Sequence, residues 1–164
     1  MIITKDDLDE NNFYKHSDSL ESDEDIEADE NLGYVKFKVS IISKKGIYFK
    51  AGSGIKAGLG IEAGWGIEAG LGIEAGLGIK AGWGIEAGEG IEAGWGIEAG
   101  EGIKAGEGIE AGWGIVTFFG NVVSKWISCL RIAVGFNSKK EYYVQAKIKK
   151  GELVYGKLNK QEIE

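Results

Sequence analysis

The chain has 164 residues, enough for one ordinary domain but not for two. It contains 28 glycines, five tryptophans and no proline, and its net charge is −7. Its single cysteine, Cys129, excludes an internal disulfide, and the acidic N-terminus lacks the basic start and apolar core of a signal peptide. Because no run of 18 apolar residues is present, we expect a cytoplasmic protein that does not span a membrane.

Residues 1–33 are strongly acidic, with twelve Asp or Glu side chains and two lysines. The segment "SDSLESDEDIEADEN" has few apolar residues and many like charges, a composition typical of disorder. The sequence therefore predicts a disordered acidic tail. Two roles remain open for it: a solvated tail that aids solubility, or an arm that folds onto a basic partner. The candidate contacts of such an arm are Asp23, Glu24 and Asp25.

Residues 34–48 alternate between apolar and polar side chains. In "YVKFKVSII", Val35, Phe37 and Val39 would lie on one side of a strand, with Lys36 and Lys38 on the other. We expect this segment to form a strand that caps the N-terminal end of the region after it.

Residues 49–114 form eleven hexads. An apolar slot runs from Phe49 to Ile109, an Ala slot runs from Ala51 to Ala111, and Lys or Glu always lies between the two. In a strand, Ile and Ala would point inward and the charged residue outward. The Gly-x-Gly segment would turn the corner, because glycine adopts backbone angles that other residues avoid. A period of six does not match a helix, so the repeat predicts a parallel β-solenoid.

The residue between the two glycines indicates whether one coil consists of three hexads or of two. With three, the corner residues form three columns in which similar side chains lie next to one another. With two, they form a single mixed column, so three is favoured. The three columns would be Leu59–Leu77–Trp95–Trp113, Trp65–Trp83–Glu101 and Ser53–Leu71–Glu89–Glu107.

Residues 115–164 leave the hexad pattern and are basic, with nine Lys or Arg and four Glu. The segment "GIVTFFGNVVSKWISCLRIAVGF" is apolar and rich in β-formers, and "YYVQAKIKKGELVYGKL" alternates again. We interpret this region as a β-rich C-terminal cap on the solenoid or, alternatively, as a small separate sheet. The predicted fold is thus all-β, with β caps at both ends of a hexad-repeat solenoid.

The repeat resembles two known architectures. Its period and Ile slot are similar to the hexapeptide-repeat β-helix of bacterial acyltransferases, but there the small residue precedes the aliphatic one, whereas here Ala follows it. Those enzymes use a catalytic His in the coil, and the only His here is His16, in the acidic segment. The acidic solenoid is also similar in shape and charge to pentapeptide-repeat proteins, which mimic duplex DNA.

A closer resemblance is to small Gly-Ile-x-Ala-Gly-x tract proteins of phages and mobile elements. It covers about residues 46–158 and includes the degenerate end "WISCLRIAVGF" followed by "GELVYGKL". Some such proteins act as anti-CRISPR inhibitors. The resemblance implies a non-enzymatic protein that works in the cytoplasm of a bacterial host and blocks an RNA-guided nuclease.

The sequence contains no convincing catalytic, metal or cofactor site. Cys129 or Ser124 would need a base, and His16 is the only histidine, so we expect Cys129 to be a small buried residue and the protein not to be an enzyme. We also expect no metal and no cofactor, because ligands at a useful spacing are missing.

Corner residues of the repeat are the candidate binding residues. The four corner tryptophans would cover the neighbouring glycines, bind a partner, or do both. The sequence supports two hypotheses: an inhibitor that binds a basic nucleic-acid-binding protein, and a structural solenoid that assembles through its ends. Direct nucleic-acid binding is disfavoured, because the exposed glutamates would repel phosphates. The candidates are Trp65, Trp83, Trp95, Trp113, Glu89, Glu101 and Glu107.

Overall fold

The computed structural model describes residues 1–136 and 138–159, which form an all-β solenoid of about eight turns. The predicted solenoid is confirmed. A 3-10 turn, η1 (Lys5–Asp7), interrupts the strands near the N-terminus. The N-terminal strands are β1 (Ile2–Ile3), β2 (Leu20–Ser22), β3 (Ile26–Ala28), β4 (Gly33–Phe37), β5 (Ile41–Ser43) and β6 (Ile47–Phe49).

From Ser53 onward each hexad contributes a short strand, and one further strand follows directly after the last hexad. These strands are β7 (Ser53–Ala57), β8 (Ile61–Ala63), β9 (Ile67–Ala69), β10 (Ile73–Ala75), β11 (Ile79–Ala81), β12 (Ile85–Ala87), β13 (Ile91–Ala93), β14 (Gly96–Ala99), β15 (Ile103–Ala105), β16 (Gly108–Ala111) and β17 (Gly114–Thr117). The C-terminal strands are β18 (Val122–Val134), β19 (Tyr143–Tyr155) and β20 (Lys157–Leu158).

Each strand from β7 to β15 pairs in parallel with the strand three further along the chain. Ile55 pairs with Ile73, which pairs with Ile91, so one coil consists of three hexads, as predicted. The coil has three faces. Face A contains β4, β7, β10, β13 and β16; face B contains β2, β5, β8, β11, β14 and β17; face C contains β1, β3, β6, β9, β12 and β15.

The interior is filled by the Ile and Ala slots. From Ile55 to Ile109 every slot isoleucine is at most 1% exposed, and the alanines from Ala57 to Ala111 are buried as well. Burying one isoleucine stabilises the fold by roughly 1.5–3 kcal/mol. No single hexad can enclose its own isoleucine, so the stacked coils supply this stabilisation together.

The two glycines of a corner have different roles. A Cβ on the first glycine, such as Gly82, would lie 2.0 Å from the carbonyl oxygen of Gly64 in the preceding coil. A Cβ on the second, Gly84, would lie 3.2 Å from Gly102 O. Positive φ angles in the described residues fall outside the 58–114 repeat, for example 72° at Gly52. The expected reason for glycine, unusual backbone angles, is therefore wrong: the first glycine is required by the close approach of stacked backbones.

The prediction of a disordered tail over residues 1–33 is wrong. This segment forms the first coils of the solenoid, with β1 paired to β3, β2 to β5 and β3 to β6. Its scattered apolar residues lie in the core, where Ile3 and Ile26 are fully buried and Leu20 is nearly so. The sparse apolar residues are sufficient because the next coil covers them.

Acids of the first coils are paired with lysines of the coil stacked on them. Asp18 Oδ1 lies 2.8 Å from Lys38 Nζ, and Asp29 Oδ1 lies 3.2 Å from Lys50 Nζ. The acid-rich segment and the lysine-rich segment after it therefore neutralise each other across one coil spacing. The like charges that predicted disorder are offset by contacts with a segment that lies one full coil further along the sequence.

Residues 34–48 are not a single capping strand. They contribute β4, β5 and most of β6, which are the three sides of one coil. The register of β6 also corrects the start of the repeat: Ile47 pairs with Ile67 and Phe49 pairs with Ala69. Phe49 thus occupies the Ala slot instead of the Ile slot, and Ala51 lies exposed at a corner.

Residues 115–159 continue the solenoid and do not form a separate sheet. Strand β18 crosses all three faces, placing Val122 on Ile103, Ile127 on Ile109 and Ile132 on Ile115. Strand β19 pairs in parallel with β18. The inward residues of β18 are five apart instead of six, so this coil turns its corners without the Gly-x-Gly segment.

Candidate partner-binding surface

Corner residues three hexads apart stack in columns along the solenoid. Backbone hydrogen bonds join successive members: Trp83 N donates to Trp65 O at 3.1 Å, and Trp113 N donates to Trp95 O at 2.6 Å. The three predicted columns are confirmed by such bonds. Leu59–Leu77–Trp95–Trp113 lies between faces A and B, Trp65–Trp83–Glu101 between faces B and C, and Ser53–Leu71–Glu89–Glu107 between faces C and A.

The four corner tryptophans form two stacked pairs at different corners. The ring centroids of Trp65 and Trp83 are 5.3 Å apart, with 5° between the ring planes. Those of Trp95 and Trp113 are 6.1 Å apart, at 17°. The free plane of Trp65 faces Lys45, whose Nζ lies 5.8 Å from the ring centroid.

Stacking covers one ring plane of each indole and leaves the rim exposed. Exposure ranges from 38% for Trp65 to 69% for Trp113. A nucleobase needs a free ring plane for stacking, whereas a protein partner can contact the apolar rim and accept a hydrogen bond from the indole N–H. The exposed rims can therefore contact a protein partner, and the stacking is compatible with the packing role as well.

Glutamates form two adjacent columns where the third corner meets face A. Glu89 and Glu107 form the corner column, and Glu92 and Glu110 form the outward slot of face A, three residues further along each strand. We call these four residues the acidic patch. All four side chains are exposed.

Two of the four carboxylates have partners within the chain. Tyr34 O–H donates to Glu89 at 3.0 Å, and Lys125 Nζ lies 2.6 Å from Glu107. Burial, followed by the hydrogen bond to Glu89, raises the pKa of Tyr34 to about 12, so Tyr34 remains a donor at neutral pH. Within the described residues, Glu92 and Glu110 have no hydrogen-bond or ion-pair partner.

Sequence reasoning missed Glu92 and Glu110, because the slot between Ile and Ala is charged in every hexad. A usable signal was present: residues 89–95 and 107–113 both read EGIEAGW, and they are three hexads apart. With three hexads in each coil, this identity places two like carboxylates directly above two others.

The remaining predicted binding residues lie elsewhere. Glu101 follows Trp83 at the corner between faces B and C, away from the acidic patch. Asp23 is paired with Lys44, and Glu24 is paired with Lys45. The Asp25 carboxylate accepts a hydrogen bond from Gly46 N at 2.8 Å. Asp23, Glu24 and Asp25 are thus paired within the solenoid and do not form a free arm.

Shallow grooves follow the glycine rows on each face. The groove on face B, about 450 Å³, has Trp95 at one edge and Ile42 and Val116 near its ends. Within it, Lys80 pairs with Glu98 at 3.2 Å. The groove on face A is smaller, about 160 Å³, and includes Glu92, Glu107 and Glu110 of the acidic patch.

The nucleophile and base candidates are far apart in the fold. Cys129 lies in an Ala-like inward slot of β18, where burial raises the pKa of its thiol to about 11. His16 lies in the first coil, with its Nε2 2.9 Å from Asp7 Oδ1. Residues 1–136 and 138–159 contain no group of three or more His, Cys, Asp or Glu arranged to hold a metal ion.

In the part of the chain that the structure describes, no helix has the length and apolar character needed to cross a membrane. Comparisons of the chain with family models, curated proteins and solved structures give no significant match.

Proposed function

We propose that this protein is a non-enzymatic inhibitor that binds a basic nucleic-acid-binding protein through the acidic patch and the neighbouring corner tryptophans. The target class suggested by the hexad-tract resemblance is an RNA-guided nuclease. Such an inhibitor would act in the cytoplasm of a bacterial host.

The acidic patch is the observation that supports this proposal. Coils stack about 4.8 Å apart, and three residues of strand span about 10 Å, so four carboxylates share an area of about 5 Å by 10 Å. Glu92 lies in register with Glu110 on the neighbouring strand, and neither carboxylate has a hydrogen-bond or ion-pair partner within the described chain. Guanidinium groups of a partner would relieve this repulsion through bidentate hydrogen bonds.

A protein partner fits this surface better than nucleic acid does. The patch repels phosphates, and each stacked indole has lost one ring plane to its neighbour. The exposed rims of Trp95 and Trp113 lie on the opposite edge of face A from Glu89 and Glu107. A basic surface that spans this face would contact both carboxylates and aromatic rims.

The proposal is tested by affinity purification from bacterial cells that carry RNA-guided nuclease systems, followed by mass spectrometry. The decisive variant is Glu92→Lys with Glu110→Lys, because these side chains have no partner within the described residues. The matched control is Glu62→Lys with Glu68→Lys, which changes the charge equally on faces B and C. Circular dichroism verifies that both variants fold.

The proposal predicts recovery of a basic nucleic-acid-binding protein at low salt, loss at high salt, and loss in the face A variant only. The same pattern is expected for inhibition of DNA cleavage by the purified nuclease. Equal binding by both variants, or recovery of no basic protein, would contradict the proposal.

A further inference from the structure

The two ends of the solenoid are finished differently. At the N-terminal end, the segment between β1 and β2 closes the first coil: Phe13 forms a parallel bridge with Lys36 of β4, and Leu8 forms an antiparallel bridge with Tyr14. The Leu8 and Tyr14 side chains are 7% exposed and cover the core from below. η1 anchors this segment, because the Asp7 carboxylate accepts hydrogen bonds from Thr4 N at 2.8 Å and Thr4 Oγ1 at 2.9 Å.

At the C-terminal end, the last described coil leaves its core partly open. Ile127 and Ile132 of β18 are fully buried, but Ile148 and Leu153, which pair with them from β19, are only half-buried. Strand β20 pairs only with Tyr143 and Val144, at the start of β19. Within residues 1–136 and 138–159, no strand pairs with the outer edge of 147–155.

Exposed apolar side chains surround this open edge. Val154, Tyr155 and Leu158 are 42–50% exposed, and the Phe136 ring, also exposed, packs edge-on against Tyr155 at 5.7 Å. An unpaired strand edge beside exposed apolar groups can pair with another chain. This end therefore has the features of an interface.

The charges of the two ends are opposite. Residues 139–157 carry six lysines and two glutamates, and residues 4–15, which cover the N-terminal end, carry four acids and two lysines. Lys147 and Lys150 are exposed on the open coil, and Asp6 and Glu10 are exposed on the segment that covers the N-terminal end. The basic end of one molecule is thus complementary to the acidic end of another.

We propose that the C-terminal end binds the N-terminal end of a second copy, head to tail. In this arrangement the coils of both copies run in the same direction, and the lysines of the open coil face the acids of the segment that covers the N-terminal end. Two C-terminal ends facing each other would oppose lysines to lysines. A head-to-tail contact is heterologous, so it gives an open series of oligomers instead of a closed dimer.

This inference rests on other residues than the proposed function does: the acidic patch lies on face A two strands before the open edge, where Glu110 pairs with Ser128 and Ser128 pairs with Lys150. Sedimentation velocity over a concentration series tests it. The wild-type protein should form species that grow with concentration and shrink with added salt. Lys147→Glu with Lys150→Glu should shift the protein to the monomer, as should Asp6→Lys with Glu10→Lys.

Combining the four substitutions in one chain should restore association, since the charges of both ends are then exchanged. The matched control, Lys80→Glu with Lys104→Glu, makes the same charge change as the C-terminal variant in the middle of the solenoid and should leave association unchanged. A wild-type protein that is monomeric at every concentration, or that stops at a dimer, would overturn the proposal. Association insensitive to both end variants would also overturn it.

The acidic-patch variant Glu92→Lys with Glu110→Lys separates the two proposals. Head-to-tail stacking predicts unchanged self-association for this variant, whereas the proposed inhibitor function predicts lost target binding. Loss of self-association in this variant would place the contact at the acidic patch on the side of the solenoid and overturn the end-to-end arrangement.

Discussion

The central hexad coils and the N-terminal coils share one architecture but reach it with different sequences. In the centre, Ile61 pairs with Ile79, three hexads further on, and every corner is Gly-x-Gly. In the N-terminal region, Ile41 pairs with Ile61 and Leu20 pairs with Ile41, so these coils are slightly longer than three hexads. The comparison shows that the fold depends on matched inward residues, and that corner length can vary.

The two regions also stabilise their corners differently. Central corners bring backbones together closely enough that only glycine fits, as at Gly82 over Gly64. N-terminal corners use polar side chains instead: Ser53 Oγ donates to Asp29 O at 2.6 Å and accepts from Leu32 N at 3.0 Å. The central coils therefore depend on shape, and the first coils depend on specific hydrogen bonds.

The largest loss of stability is expected when an inward-facing isoleucine of the central coils is truncated. Ile97→Ala removes a side chain that is 1% exposed and should destabilise the protein by about 2–5 kcal/mol. The same change at Ile148, which is half-buried in the open last coil, should have a clearly smaller effect. Denaturant unfolding monitored by circular dichroism measures both. Equal losses would show that the C-terminal end is as closed as the centre.

A smaller loss of stability is expected for alanine substitutions at the central corners, and it should differ between the first and the second glycine of a corner. Gly82→Ala places a Cβ 2.0 Å from the backbone oxygen of Gly64, so the stacked coils must shift, at about 1–3 kcal/mol. Gly78→Ala places its Cβ 3.4 Å from Gly96 O and is expected to be near neutral. Thermal unfolding of the two variants gives the comparison. A neutral Gly82→Ala would mean that the close approach between coils is readily relaxed.

A comparable loss is expected where an N-terminal corner relies on a buried hydroxyl. Ser53→Ala leaves Leu32 N without its acceptor in a fully buried position and should cost about 1–3 kcal/mol. Ser40→Ala is the matched control: Ser40 Oγ accepts from Gly60 N at 3.2 Å but is half-buried, so water can replace it. Hydrogen exchange of the Leu32 and Gly60 amides reports each site directly.

The hexad pattern was sufficient to predict the solenoid, the three-hexad coil and the corner columns. Strict repetition makes these features predictable, because each residue contacts the equivalent residue of the next coil. The N-terminal coils escaped prediction because their partners are unlike in sequence: Asp18 meets Lys38, and Leu20 meets Ile41. Composition alone cannot show that a charged segment will be neutralised by the next one.

The acidic patch was predicted only in part, for a related reason. Glu89 and Glu107 were singled out as variable corner residues, but Glu92 and Glu110 were hidden in a slot that is charged in every hexad. What distinguishes them is that they lie in register with each other and that neither is paired with a lysine, whereas Glu74, the other neighbour of Glu92, is paired with Lys56. Glu86, by contrast, lies 2.7 Å from Lys104 in the neighbouring coil.

The smallest expected effect is a loss of stability at acid pH. It should affect the N-terminal end, which is held by polar side chains, and not the central coils, whose corners are Gly-x-Gly. Hydrogen bonds from the backbone and side chain of Thr4, aided by His16, lower the pKa of the Asp7 carboxyl below its ordinary value of 3.8. A lowered pKa means that the stabilisation by ionised Asp7 is complete above that ordinary value and is lost as pH falls through the folded-state pKa. Because the carboxyl is partly exposed, we expect at most about 0.2–1 kcal/mol.

Amide hydrogen exchange measured at descending pH, corrected for the intrinsic rate, tests this expectation. Protection of Lys15 N, which donates to Asp7 O at 3.0 Å, should fall below pH 4, while protection of Trp83 N in the centre should persist. Asp7→Asn should lower the protection of Lys15 at neutral pH and flatten its pH dependence. If protection at both amides declined together, the acid effect would be global, and the N-terminal end would not be a separate unit stabilised by its own polar contacts.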